Sequence, residues 1–425
     1  MNIFAIDLGN KRIKMKSEKG EYSYPSSYLN AEQVATGGLG SESVEQNFVF
    51  KIPQDAKNSF IWGPNLEVYN LPERMIDTYA RSGRMKQKKA IRILEFALGR
   101  LAMDYPEAYE SPLVVVHLTL GLSITDMHEE SDTIDVLKNL AIGQHQIFID
   151  GRVLTIIIPT EEFLSIIPQY MGTVLNLAFD EEYQRNQRFS DGKIGVIDIG
   201  GGTILINRSV GLNPSPNGDE RFEGIQNLIK EIGRRINSTK PFLIEQMLRS
   251  ADDKGNYNYR PNSNRQDSRD ITSVVRGEIE RYTRFTVAPL VTENFPDIEE
   301  IDFIVVTGGG ASLLAKEALK DEIGEEYFER LFFLNESEFA NVRGFYKGGY
   351  LKWHISNDDS LQIKNSLEKV QTSLTNFEAF QDEKELVIPS NETINTLRSQ
   401  EVLEAQKKLQ ALESEIEGIK LEFED

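Results

Sequence analysis

The stretch that most limits what this chain can become is residues 195–207, GVIDIGGGTILIN. Val196 and Ile197 are β-branched and lead straight into Asp198. Gly200, Gly201 and Gly202 follow, then Thr203, then a second apolar run, Ile204-Leu205-Ile206. The pattern predicts strand, tight turn, strand. Three glycines let backbone N–H groups close on an anion with no Cβ in the way. Asp198, at the strand end, is placed to face a cation held by that anion, and Mg²⁺ takes one or two carboxylates together with phosphate oxygens. In isolation the stretch is equally consistent with a plain β-hairpin carrying a glycine-rich turn.

The start of the chain repeats the arrangement. Residues 3–6 are an apolar strand, Asp7 ends it, Gly9 follows, and Lys11-Arg12-Ile13-Lys14 continues. On a returning hairpin strand Lys14 can reach back to a phosphate. Two such hairpins facing each other across a cleft would each supply one aspartate to one metal. A third glycine run, at Thr307-Gly308-Gly309-Gly310, follows a buried strand expected over 301–306, with a helix expected over 311–319. Amides at such a helix N-terminus can hold a phosphate or a ribose.

Composition narrows the chemistry. Cysteine is absent and the four histidines, His117, His128, His145 and His354, have no metal-ligand spacing, which disfavours thiol, zinc and His-triad chemistry. With 47 basic and 67 acidic side chains the net charge is −20. That argues against direct, sequence-independent nucleic-acid binding and leaves open binding through a basic adaptor. No signal peptide opens the sequence, and its longest apolar run, residues 113–122, is too short to span a bilayer, so a cytoplasmic protein without membrane attachment is expected. The length of 425 residues fits two or three domains.

Along the chain, strands are expected at 3–8, 13–16, 21–24, 48–52, 60–62, 113–120, 147–149 and 153–158, with Asp150-Gly151 as a hairpin turn. Residues 36–47 (TGGLGSESVEQN) read as a loop. The basic cluster 81–89 (RSGRMKQKK) reads as a solvated helix start or, alternatively, a docking surface for an acidic partner face. Residues 163–179 are expected to be one helix containing Gln169; 211–218, rich in Pro and Asn, a loop; 225–236 a helix; 250–270 a mobile polar loop; and 271–290 helical. A last helix runs to about 355. From Val402 to Phe423 apolar residues alternate spacings of three and four, which is a short coiled-coil seam or a tail helix packed on its own domain.

The order of these pieces resembles the actin-like ATPase superfamily. Its phosphate-1, connect-1, phosphate-2, adenosine and connect-2 motifs fall at Ile6-Asp7-Leu8-Gly9-Asn10 with Lys14; Gln169-Tyr170-Met171-Gly172-Thr173; residues 197–203; residues 306–310; and Asn341-Val342-Arg343-Gly344. Asp-x-Gly-Asn, Met-Gly-Thr and Ala-Asn-Val-Arg-Gly resemble most the ParM-type plasmid-segregation actins of Gram-positive bacteria. Lys11 stands where that pattern often has glycine. The resemblance covers about residues 1–355.

It implies an α/β, actin-like fold with two RNase H-like domains around a nucleotide cleft. The expected division is 1–160, with a small insertion about 30–80; 161–340, with an insertion about 225–290; a return to the first domain at 341–355; and a helical extension over 356–425. It implies ATP and Mg²⁺ as cofactors, filaments built from copies of the chain, and plasmid DNA moved through a centromere-binding adaptor. Asp7 and Asp198 would hold the metal. Asp7, Gly9, Asn10, Lys11, Lys14, Gly200, Gly201, Gly202, Thr203, Gly308, Gly309 and Gly310 would bind the nucleotide. Gln169 would orient the attacking water, with Asp198 as the second catalytic residue. The rival is a small-molecule kinase of the same superfamily acting as a soluble enzyme. A peptide-binding chaperone would need more chain after residue 355, a membrane-tethered relative would want a basic amphipathic tail where this one is acidic, and no Walker sequence occurs.

Overall fold

The computed structural model describes residues 2–34, 47–55, 57–69, 71–78, 83–105, 113–128, 132–251, 255–261 and 265–354. The expected seam at 402–423, most of the 36–47 loop and the first two residues of the basic cluster lie outside them.

Among the described residues, the two larger sheets repeat one plan in their inner parts. In the first, β1 (Asn2–Leu8), β2 (Arg12–Lys16) and β3 (Glu21–Pro25) form an antiparallel meander. The short strands β4 (Ser27–Asn30), β5 (Phe48–Lys51), β6 (Phe60–Trp62) and β7 (Ile76–Asp77) lie at the far edge. Helix α1 (Lys88–Ala102) packs beneath, its Ile93, Leu94, Phe96, Ala97, Leu98 and Leu101 all buried at helical spacing. Strand β8 (Leu113–Leu122) runs parallel to β1 and then forks. Its first residues pair with β10 (Arg152–Ile158), which forms a hairpin with β9 (Gly143–Ile149), and its last residues pair in parallel with β11 (Leu164–Pro168). Strand β5 then adds to β9, so the segment around residues 48–62 continues the same sheet.

Helix α2 (Gln169–Ala178) leads to the second sheet. There β12 (Lys193–Ile199), β13 (Ile204–Val210) and β14 (Asn213–Arg221) form the antiparallel meander, and β17 (Phe303–Thr307) and β18 (Leu331–Phe333) add in parallel. The order β3-β2-β1-β8-β11 is thus matched by β14-β13-β12-β17-β18. Between β14 and β17 come α3 (Ile225–Ile236), α4 (Pro241–Arg249), a two-residue pair β15 (Asn258–Tyr259) and β16 (Arg269–Asp270), and helices α5 (Thr272–Tyr282) and α6 (Ala288–Asn294), joined by a π-helical turn. Helix α7 (Lys316–Ile323) follows β17, and α8 (Ala340–His354) returns to pack Val342, Phe345 and Tyr346 on Ile3 and Ala5 of β1.

Four expectations change. The predicted helix 163–179 begins only at Gln169: Ile166 and Ile167 are β-branched, and β8 offers their backbone an open edge. Pro168, which a helix interior would reject, closes the strand. The expected loop 211–218 is largely β14, an edge strand, where Pro214 and Pro216 are tolerated because one side of the strand has no ladder to complete. Residues 250–270 include the β15–β16 pair, anchored by Tyr259, whose hydroxyl lies 2.6 Å from Ser238 Oγ. No helix opens directly after the third glycine run. Residues 311–313 form a single 3₁₀ turn, the chain extends through Leu314, and Thr283 Oγ1 accepts the Ala315 N–H at 3.1 Å before α7 begins.

Candidate nucleotide site

The β1–β2 register sets Asp7 opposite Lys14, as expected for a returning strand. Lys14 Nζ lies 3.2 Å from Asp7 Oδ2. Burial works to lower the lysine pKa, but the carboxylates of Asp7, Asp198 and Glu338 outweigh it and hold the ammonium above the ordinary lysine range. Asp7 is 1% exposed, and its second oxygen, Oδ1, is buried with no hydrogen-bond partner. A buried carboxylate oxygen left bare is costly unless something else completes it.

The second hairpin brings Asp198 to the matching position. It is 4% exposed. Its Oδ2 accepts from Asn341 Nδ2 at 2.7 Å and from Gln169 Nε2 at 3.4 Å. Burial, with the charge of Asp7, raises its pKa, and Lys14 and the two amides act in the other direction. Asn341 is itself fixed: its Oδ1 accepts from Thr173 N at 3.1 Å and Thr173 Oγ1 at 2.8 Å. Helix α2 thereby supplies Gln169 and Thr173, and α8 supplies Asn341, to one carboxylate.

The glycine turns are built for close approach. Gly200 N donates to Thr203 O at 2.8 Å, closing the turn. The first amides of α3 hold its carbonyls from behind: Ile225 N reaches Gly200 O at 3.1 Å and Gln226 N reaches Gly201 O at 2.8 Å, with Gln226 Nε2 on Gly202 O at 3.2 Å. A Cβ on Gly201 would stand 2.6 Å from Lys11 Cβ, so the two hairpin turns meet there, and the Lys11 ammonium turns away to Asp77 at 3.1 Å. Gly308 has φ +86° and lies against Asp198, where any Cβ would strike the carboxylate. Gly310 is packed on Ile199 and Ile225, whereas a Cβ on Gly309 would meet only Glu338 Cγ, at an ordinary contact distance of 3.9 Å.

These elements wall a cleft of about 1600 Å³ between the two sheets. Gly9, Asn10, Lys11, Lys14, Gln169, Asp198, Gly200, Gly201, Gly202, Thr203, Gly309 and Gly310 line it, and Asp7 lies just behind. Gly308 shapes the wall without facing the cavity. At the mouth, Glu338 accepts from Ser23 Oγ at 2.7 Å, pairs with Arg12 Nε at 3.4 Å and takes both Arg249 terminal nitrogens at 2.9 and 3.2 Å. Arg12 and Ser23 belong to the first sheet and Arg249 to α4 of the second half.

Sequence reasoning missed several members of this assembly. Asn341 sits in a motif singled out above, but the motif does not disclose that its amide holds Asp198. Glu338 and Arg249 carry no local signature. Arg84 falls inside the basic cluster, read as a solvated helix start or a docking face. It is instead partly buried against the first glycine turn.

Among known proteins, residues 193–338 match the family model of the Alp7A C-terminal domain. No curated protein matches the chain. The crystal structure of the actin-like protein Alp7A aligns with a TM-score of 0.64 at 14% identity, covering 87% of this chain and 98% of that one. Apo pSK41 ParM aligns at 0.59 with 22% identity, covering 82% and 97%. Bacillus thuringiensis ParM with AMPPNP aligns at 0.57 with 16% identity, covering 83% and 99%. The fold is the actin-like one.

Proposed function

Taking the chain as an actin-like protein of the ParM and Alp7A type, we propose that it is a nucleotide-dependent, filament-forming ATPase that segregates plasmid DNA through a DNA-bound adaptor. The observation that carries the nucleotide part is the convergence of Asp7 and Asp198, from equivalent strands of the two sheets, on one cleft walled by glycine turns, with Asp7 Oδ1 buried and bare. Bacillus thuringiensis ParM, of the same fold, has been crystallised with AMPPNP and with ADP.

The residues fit Mg²⁺. Two carboxylates face one lysine, one carboxylate oxygen lacks a partner, the sequence holds no cysteine, and no histidine is among the described residues that line the cleft, so nothing there favours a softer metal. Asp7 and Asp198 would hold the ion, which when bound would supply neutralisation of phosphate charge. The chain's own groups do the rest. Lys14 and the amides of the Gly9 and Gly200–202 turns bind the phosphates. Asn341 and Thr173 fix the Asp198 carboxylate. Gln169 spends its amide nitrogen on Asp198, which leaves its carbonyl oxygen to accept a hydrogen bond from water and aim it; positioning then carries the rate, because an amide is a poor base. Closure of the two halves on a triphosphate changes the outer surface, which couples nucleotide state to subunit contacts. The net charge of −20 favours reaching DNA through a basic adaptor.

The test is to incubate the protein with Mg²⁺-ATP, Mg²⁺-ADP or no nucleotide, pellet it at high speed and image the pellet by negative stain. ATP-dependent filaments support this reading. A protein that stays soluble while hydrolysing ATP rejects it in favour of a small-molecule kinase.

A further inference from the structure

The two glycine turns share a problem: each must present backbone N–H groups to an anion, so its carbonyls must point the other way and be satisfied there. In the β12–β13 turn the first amides of α3 do this. The β1–β2 turn is followed by no helix. Arg84 stands in its place. Its Nη1 donates to Leu8 O and its Nη2 to Gly9 O at 3.0 Å. The same guanidinium is fixed by Ser26 Oγ at 2.8 Å, Thr78 Oγ1 at 2.9 Å and, through Nε, Thr78 O at 3.2 Å.

We infer that Arg84 is the positioning residue of the first phosphate turn, holding two carbonyls so that the N–H groups of Gly9 and Asn10 are presented to the phosphates of a nucleoside triphosphate. Peptide groups here are trans, so fixing the carbonyls of Leu8 and Gly9 sends the N–H groups of Gly9 and Asn10 to the opposite edge of the same planes. Both residues line the cleft. The planar fork reaches two successive carbonyls at once, which an ammonium on a flexible stem does not reproduce. Among the described residues the guanidinium makes no direct bond to a carboxylate. Burial brings its pKa down to about 10, partly offset by Asp7, Asp77 and Asp126, so at neutral pH it places a full positive charge behind the turn. Gly83, with φ +60°, starts the short turn that delivers Arg84, and α1 follows two residues after that turn's end.

This inference rests on the nucleotide reading above, and the experiment separates the two. Binding of ATP and ADP in Mg²⁺ is measured by calorimetry for the full chain, Arg84→Lys and Arg84→Ala. Thermal unfolding of each is recorded without nucleotide, and Arg84→Ala is re-measured with guanidinium ion at low millimolar concentration. The expected result is ATP affinity in the order wild type, Arg84→Lys, Arg84→Ala, with the last at least tenfold weaker than wild type, and recovery of at least threefold on adding guanidinium. Equal affinity in folded wild type and Arg84→Ala overturns the inference. So does a loss that follows the melting transition and does not respond to guanidinium. Where Arg84→Ala does not fold, Arg84→Lys decides: wild-type affinity overturns the inference and a severalfold loss at unchanged melting temperature supports it. Wild-type protein that binds neither nucleotide overturns the functional reading itself.

Discussion

Gly172 and Gly344 meet backbone to backbone where α2 crosses α8. A Cβ on Gly344 would fall on the Gly172 carbonyl, 2.5 Å from its carbon, and one on Gly172 would lie 2.8 Å from Asn341 Cα. The same two helices carry Gln169, Thr173 and Asn341, which together hold Asp198. The crossing therefore sets the geometry of the site as well as the packing of the two halves.

Gly344→Ala forces main chain from main chain, with no flexible side chain to yield. It is expected to destabilise the protein by about 1–3 kcal/mol and to lower ATP turnover by more than the unfolded fraction explains. Chemical denaturation and phosphate release at a temperature where both proteins are folded read the two effects. An unchanged midpoint with unchanged turnover would show that the helices separate freely.

Gln169→Ala leaves the phosphate turns intact, so it should bind ATP and assemble while hydrolysing at least about tenfold more slowly, a loss of roughly 1.4 kcal/mol of barrier lowering. Asp198→Ala should lose Mg²⁺-dependent turnover. Wild-type phosphate release from either variant removes that residue from the reaction.

Glu338 ties Arg12 and Ser23 of one half to Arg249 of the other. Burial opposes its ionisation, but Arg249, Arg12 and Lys14 outweigh burial and bring its pKa down to about 2, so the carboxylate is charged throughout the usual pH range. Glu338→Gln keeps the shape and weakens the ties. Bound nucleotide should then leave severalfold faster in stopped-flow chase with a fluorescent analogue. Release at the wild-type rate would mean that the mouth of the cleft is held elsewhere.

A pH test comes from beneath the first sheet. His145 Nε2 lies 2.8 Å from the Ala141 carbonyl, which only accepts, and Nδ1 lies 3.0 Å from Glu95 Oε1. Burial would lower the histidine pKa, but Glu95 and the carbonyl outweigh it and raise it. A folded value above the unfolded value of about 6.5 gives stability that is fully present below that pH and is lost as pH rises through the folded pKa. The stability difference between wild type and His145→Gln should therefore shrink from pH 6 to pH 9 in urea titrations. A difference that is flat or grows with pH contradicts the assignment.

What could be read in the sequence was local. Asp7 with Gly9, Asp198 with Gly200–202, and Lys14 on a returning strand need only the hairpin to find their places, and the β1–β2 and β12–β13 registers follow. What could not be read depends on a distant neighbour. Ile166 and Ile167 suit a helix or a strand until β8 presents an edge. Pro214 and Pro216 signal a loop unless their strand has one side free. Arg84 has the sequence surroundings of a solvated cation, and the carbonyls it turns in to hold, Leu8 and Gly9, are 76 and 75 residues earlier in the chain. The third glycine run promised a helix that the Thr283 hydroxyl postpones to Lys316.

The matched order of β3-β2-β1-β8-β11 and β14-β13-β12-β17-β18 has a consequence for control. Asp7 and Asp198 occupy the same node of two copies of one plan, so the site is the meeting of two incomplete halves and neither half contains it. On the nucleotide reading proposed above, affinity for the ligand then depends on the angle between them. Anything that grips both halves from outside, including a neighbouring copy of the chain, reports to the cleft without touching it.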